Sequence, residues 1–120
     1  MNIEEFRTYC IAKPGVTEEL PFGPQTLVFK VMNKMFALCD IDQFKSFNAK
    51  CDPERATDLR ASYSGIIPGY HMNKQHWNTI SYDGSVTDKL MFELLDHSYA
   101  LVSSTLKKAE QEELKHLAKN

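Results

Sequence analysis

Residues Leu27–Lys50, LVFKVMNKMFALCDIDQFKSFNAK, decide the fold class. Branched, aromatic and other apolar residues dominate Leu27–Met32 and Met35–Asp40, as in extended strands. Between them Asn33-Lys34 is a two-residue hairpin signal, because asparagine tolerates the left-handed backbone that such turns demand. A third extended run, Phe44–Lys50, begins after only Ile41-Asp42-Gln43. Links this short join strands antiparallel, since a parallel crossover needs a dozen residues or more. The centre of the chain therefore predicts a three-stranded antiparallel meander.

Helices flank the meander. On its N-terminal side Asn2 caps a short helix whose Ile3, Phe6 and Cys10 recur at i, i+3 and i+7, and Lys13-Pro14-Gly15 ends it. The following GVTEELPFGPQTL carries Pro21, Gly23 and Pro24 and reads as an irregular loop. On the other side Asp52-Pro53-Glu54 opens a second helix, the aspartate as cap and the proline where no N–H donor is needed. Ala56, Leu59 and Tyr63 are its apolar stripe, and Ser64-Gly65 ends it. Thr87 caps the longest helix, in which Leu90, Met91, Leu94, Leu95, Leu101 and Val102 form an apolar face widened by Phe92 and Tyr99. A helix this apolar must lie across the sheet.

Between these two helices runs Ile66–Gly84, IIPGYHMNKQHWNTISYDG, the densest mixture of chemical types in the chain. Pro68-Gly69 signals a turn, Tyr70–Gln75 a structured loop, and Trp77 onward an edge or near-edge strand closed by Asp83-Gly84. The predicted order is α-β-β-β-α-β-α. It makes an α+β two-layer sandwich, an antiparallel sheet of at least four strands with helices on one face. Residues 1–106 form a single domain. Residues 107–120 read as a charged helical tail, and the thin apolar stripe from Leu106 through Leu114 and Leu117 predicts a loosely packed end.

The 120 residues, 42% hydrophobic and 25% charged, suit one soluble domain able to build a core without disulfides or metal. No apolar run reaches the length of about 18 residues that a membrane span needs. The start, MNIEEFRTYC, is acidic and polar, unlike a secretory leader, which points to the cytoplasm. Cys10, Cys39 and Cys51 show no paired-ligand spacing and predict buried, reduced thiols rather than a zinc site or disulfide frame. The net charge of −2 is unevenly spread: residues 30–82 hold seven Lys/Arg against five Asp/Glu, between acidic ends.

The chain resembles the MmcQ/YjbR family of small bacterial proteins. The likeness runs through Pro14-Gly15-Val16-Thr17-Glu18-Glu19, Pro21-Phe22-Gly23, Met35-Phe36-Ala37-Leu38 and Lys50-Cys51-Asp52-Pro53-Glu54. It is densest in Pro68-Gly69-Tyr70-His71-Met72-Asn73-Lys74-Gln75-His76-Trp77-Asn78-Thr79 and continues in Asp96-His97-Ser98-Tyr99, covering about residues 1–108. The resemblance implies a CyaY-like (frataxin-like) fold and a DNA-binding role, with DNA as the partner.

Three classes of function follow, the third an interaction protein whose tail, residues 107–120, docks on a partner or pairs with a copy of itself. As a nucleic-acid-binding module, the chain would present Lys30, Lys34, Lys45, Lys50 and Lys74 to phosphates, with Trp77 and Tyr70 stacking on bases. As a small-molecule binder or enzyme, it would use a pocket of Tyr70, His71, Asn73, Lys74, His76, Trp77 and Asn78. Against the first two stands a structural role, in which the loop's amides tie down its own backbone. No catalytic group is named, because no nucleophile, base and orienting acid occur at a compelling spacing. No metal or other cofactor is implied either. His71, His76 and His97 are the only imaginable metal set, and the acidic ridge of a frataxin is not reproduced. Nothing in the composition calls for an oligomer, so a monomer is expected.

Overall fold

The meander forms the centre of a larger sheet. The computed structural model describes residues 1–70 and 72–118. Its elements are α1 Ile3–Ile11, β1 Val16–Glu19, β2 Thr26–Val31, β3 Lys34–Asp40, β4 Ser46–Lys50, α2 Pro53–Ser62, β5 Ile66–Pro68, β6 Trp77–Ser81, α3 Asp88–Ser104 and α4 Lys108–Ala118. The strands make one six-stranded sheet in the order β1-β2-β3-β4-β6-β5, with each neighbouring pair antiparallel. The α+β class and the antiparallel sheet are as the sequence predicts.

The two further strands lie at the two edges. Val16–Glu19, expected to be loop, pairs with β2, and Ile66–Pro68 pairs with β6, which becomes a near-edge strand. Runs of four and three residues are too short to display an alternation. Pairing with a preformed neighbour, rather than local propensity, makes them extended.

The hairpin turn also sits one residue earlier than predicted. Val31 pairs with Lys34, so Met32 and Asn33 form the turn, both with positive φ (46° and 69°). Both central residues of such a turn need the left-handed region. Asn33 suits it, while Met32 is held there with its side chain against the core.

Local signals explain the helix starts. Asn2, Asp52 and Thr87 each accept a hydrogen bond from the backbone N–H three residues on, satisfying an orphan donor of the first turn. The helices bury their apolar stripes against one face of the sheet. Phe6 of α1 meets Phe29 and Phe47 at ring-centroid distances of 5.5 and 5.1 Å. Met91, Leu94, Leu95 and Val102 of α3 lie in the same cluster with Val31, Ala49 and Ile80. Burying each such side chain contributes about 1.5–3 kcal/mol, so α3 is the sheet's main partner.

The C-terminal helix is packed where a loose end was expected. Leu106 and Leu114 are buried in the main cluster and Leu117 is exposed. Leu114 occupies the space beside Gly15 that a Cβ would need, and Gly15 has φ +73°, which favours glycine there. Among the described residues no helix is long and apolar enough to cross a membrane.

The motif Asp96-His97-Ser98-Tyr99 fastens α3 to the rest. Asp96 accepts from Tyr9 Oη and Lys13 Nζ, and Tyr99 Oη donates to the Pro14 carbonyl at 2.6 Å. His97 Nε2 accepts the Asp52 N–H at 3.1 Å, fixing the start of α2. Ser98, fully buried, accepts the Lys50 N–H at 2.8 Å and donates to the Phe36 carbonyl at 2.5 Å. Phe36 is the extra residue of a bulge in β3, where the register with β2 shifts between Phe29 and Lys30. Direct pairing of β3 with β4 stops at Ala37–Ala49, and the Ser98 hydroxyl carries the connection one residue further.

Candidate functional site

Because side chains alternate along a strand, the face away from the helices carries its own residues. Val28 of β2, Leu38 of β3 and Trp77 of β6 form a second, smaller cluster there, with Met35 and Met72 packed on it. No helix residue belongs to it. Beside this cluster lies a cleft of about 460 Å³. Its apolar lining includes Phe22, Met35, Leu38, Phe47 and Met72; Thr26, Asn48, Thr79, Ser46 and Asp40 supply polar groups, and Tyr70 lines it as well. Phe22 and Tyr70 are 64% and 66% exposed, unusually open for rings.

The loop after β5 is what positions one wall. Asn73 Oδ1 accepts the N–H groups of Gln75 and His76 at 2.9 and 3.2 Å, and the Asn73 carbonyl accepts that of Trp77 at 3.0 Å. Gly69 N–H donates to the Trp77 carbonyl at 2.7 Å, and a Cβ at Gly69 would press on Trp77. The Tyr70 N–H donates to Thr79 Oγ1 at 3.0 Å, and Thr79 Oγ1 donates to Asn48 Oδ1 at 2.5 Å. From α2, Arg60 Nε donates to Asn78 Oδ1 at 2.7 Å, while its Nη2 reaches the Lys74 and Trp77 carbonyls. The loop thus has its polar groups directed at its own backbone and at α2.

The residues expected to form a pocket do not line this cleft together. Of that set Tyr70 lines it. Trp77 lies beneath the open face, 7% exposed, and Asn78 is 1% exposed and held by Arg60. Asn73, Lys74 and His76 belong to the loop's own bonding: Lys74 Nζ donates to the Gly69 carbonyl at 3.3 Å, and the His76 carbonyl accepts the Cys51 N–H at 2.8 Å. His71 lies outside the described residues. Of the predicted phosphate contacts, Lys30 pairs with Glu19 at 3.3 Å across β1 and β2. Lys34 reaches into the helical layer, donating to the carbonyl and hydroxyl of Thr105 at the end of α3. Lys45 precedes β4 and is exposed, and Lys50 ends β4 and is half-buried. The five lysines are therefore split between the helical layer, the sheet and the loop.

Sequence reasoning missed Arg60, whose place in a charged helix hides its inward reach, and the cleft residues Met35, Asp40, Asn48 and Thr79. The alternation within β4 and β6 pointed Asn48 and Thr79 the same way. The bulge at Phe36 concealed the parity of β3. Among the described residues no three His, Cys, Asp or Glu side chains gather as metal ligands would. The thiols are buried. Burial pushes Cys39 up to about 12 and raises Cys10 and Cys51 as well.

Comparison with known proteins bears on the whole arrangement. The family model YjbR matches residues 11–101, more than half the chain. The Escherichia coli K12 protein YjbR is 35% identical over 100 residues, spanning 82% of this chain and 85% of its own. YbdF of Escherichia coli O157:H7 is 34% identical over 113 residues, 93% of each. The crystal structure of DR2400 from Deinococcus radiodurans superposes with a TM-score of 0.88 at 43% identity, covering 95% of this chain and 88% of that one. A Pseudomonas syringae crystal structure gives 0.71 at 30%, covering 85% and 99%. The match takes in the hairpin, the loop after β5 and the Asp96–Tyr99 clamp alike, and the chain belongs to the YjbR family.

Proposed function

We propose that this chain is a binding protein without chemistry of its own and that the open-face cleft is its ligand site. The observation that carries this reading is the cleft itself. Its volume of about 460 Å³ falls in the range of small-molecule sites, roughly 300–1,000 Å³, and a mostly apolar lining with a few placed polar groups is what such sites have. The bonded loop supports it, because a wall held before the ligand arrives spares the entropy of ordering it.

Amide spectra recorded while titrating with tyrosol, a small neutral phenol, test the proposal. The expected shifts centre on Leu38, Asn48 and Thr79. Absence of shifts there with tyrosol and with its ammonium and carboxylate analogues, tyramine and 4-hydroxyphenylacetate, would overturn it.

Contact with DNA through Lys30, Lys34, Lys45, Lys50 and Lys74 is the second reading. The exposure of Lys34, Lys45 and Lys74 favours it. The ion pair of Lys30 and the inward bonds of Lys34 weigh against a single basic face. A duplex titration at low salt decides: binding abolished by Lys45→Glu with Lys74→Glu would support the DNA reading.

A further inference from the structure

The ligand class follows from the charge of the same cleft, and this step rests on the cleft being a ligand site. We infer that it takes a small organic cation, an amine or quaternary ammonium carried on an apolar or aromatic body. Among the described lining residues Asp40 is the only charged one. Its Oδ1 accepts the N–H groups of Asp42 and Gln43 at 2.9 and 3.0 Å. These bonds fix the carboxylate in place and leave Oδ2 for an incoming donor.

The remaining lining points the same way. The Thr79 hydroxyl is spent between the Tyr70 N–H and Asn48 Oδ1, and Asn48 Nδ2 already leans on the Tyr70 carbonyl at 3.4 Å. The Thr26 and Ser46 hydroxyls and one N–H of Asn48 are neutral donors, and among the described lining residues there is no Lys, Arg or His to balance the charge of a phosphate or carboxylate. The nearby Lys30 is engaged by Glu19. The exposed ring of Phe22 offers a face whose quadrupole attracts cations, and the sulfurs of Met35 and Met72 are polarisable partners for an apolar body. Negative charge and a ring face in one half-open cleft select a positive ligand.

Three probes of nearly one shape separate the possibilities: tyramine, tyrosol and 4-hydroxyphenylacetate, carrying an ammonium, a hydroxyl and a carboxylate. Dissociation constants come from amide shifts of the cleft residues in the full chain. Tyramine is expected to bind about tenfold tighter than tyrosol, as one exposed ion pair plus a cation–π contact allow, and 4-hydroxyphenylacetate more weakly than either. Asp40→Asn keeps an Oδ1 acceptor for the Asp42 and Gln43 amides and should weaken tyramine about fivefold without affecting tyrosol. In the unaltered protein, high salt should weaken tyramine and not tyrosol. Equal affinities for tyramine and tyrosol, or tightest binding of the carboxylate, would overturn the cation inference and leave the cleft standing. Failure of all three to move the cleft amides would overturn the cleft as a ligand site and the inference with it.

Discussion

Replacing Ser98 by alanine removes the hydroxyl that joins β3 to β4 beyond their last direct pair. The Phe36 carbonyl is wholly inside, and an orphaned buried acceptor costs about 1–3 kcal/mol. The Lys50 N–H is only partly buried, so its loss adds a smaller amount, about 0.5–1 kcal/mol. The expected destabilisation is therefore about 2–3 kcal/mol, or roughly 8–12 °C in melting temperature for a domain of this size. Urea denaturation should show a lower midpoint with an unchanged slope, since the surface exposed on unfolding is the same. Amide exchange supplies a local check, because Lys50 N–H should lose protection more than the Ala49 pair beside it. A loss below about 0.5 kcal/mol with Lys50 still protected would refute the reasoning. It would mean that the two strands close directly once the hydroxyl is gone.

Arg60→Ala should cost about 2–3 kcal/mol and speed exchange at Gly69 and Trp77, because Asn78 loses its partner and the loop its tie to α2; unchanged exchange there would count against the tie. The imidazole of His97 is held below its ordinary value, first by burial and then by Arg55. Its neutral form accepts the Asp52 N–H. The unfolded chain then binds the proton more readily. The stabilising contribution is present above about pH 6.5 and is lost as pH falls through the lower folded value. Urea midpoints measured across that window should decline in the unaltered protein and stay flatter in His97→Gln. Cys10, Cys39 and Cys51 should resist alkylation at mildly alkaline pH until denaturant is added, since thiolate is suppressed by burial; rapid labelling of the folded protein would contradict this.

The legible parts of this fold are those whose signal is local. Caps at Asn2, Asp52 and Thr87, the helical spacing through Met91, Leu94, Leu95 and Val102, and extended runs on either side of a short turn can each be read within a few residues. Strands β1 and β5 are extended because a neighbour pairs with them, and that neighbour lies far along the chain. The site was legible in the same proportion. Asn73, Lys74 and Asn78 stood out by chemical type, yet their polar atoms serve the loop's own geometry, the structural role weighed against a pocket. The cleft assembles Phe22, Met35, Asp40, Asn48 and Thr79 from four segments, and the bulge at Phe36 decides which residues of β3 face it.

The ends of the sheet have a consequence for behaviour in crowded solution. An unpaired strand edge is a template on which another chain can add, and open edges are where aggregation begins. Here one end is a four-residue strand bearing Glu18 and Glu19. The other is a three-residue strand ending in Pro68, a residue with no N–H to offer. Glu18 and Glu19 are held by Arg7 and Lys30, and templates of four and three residues give a newcomer little to hold. The sheet is thus guarded at both ends against growing from one molecule into the next.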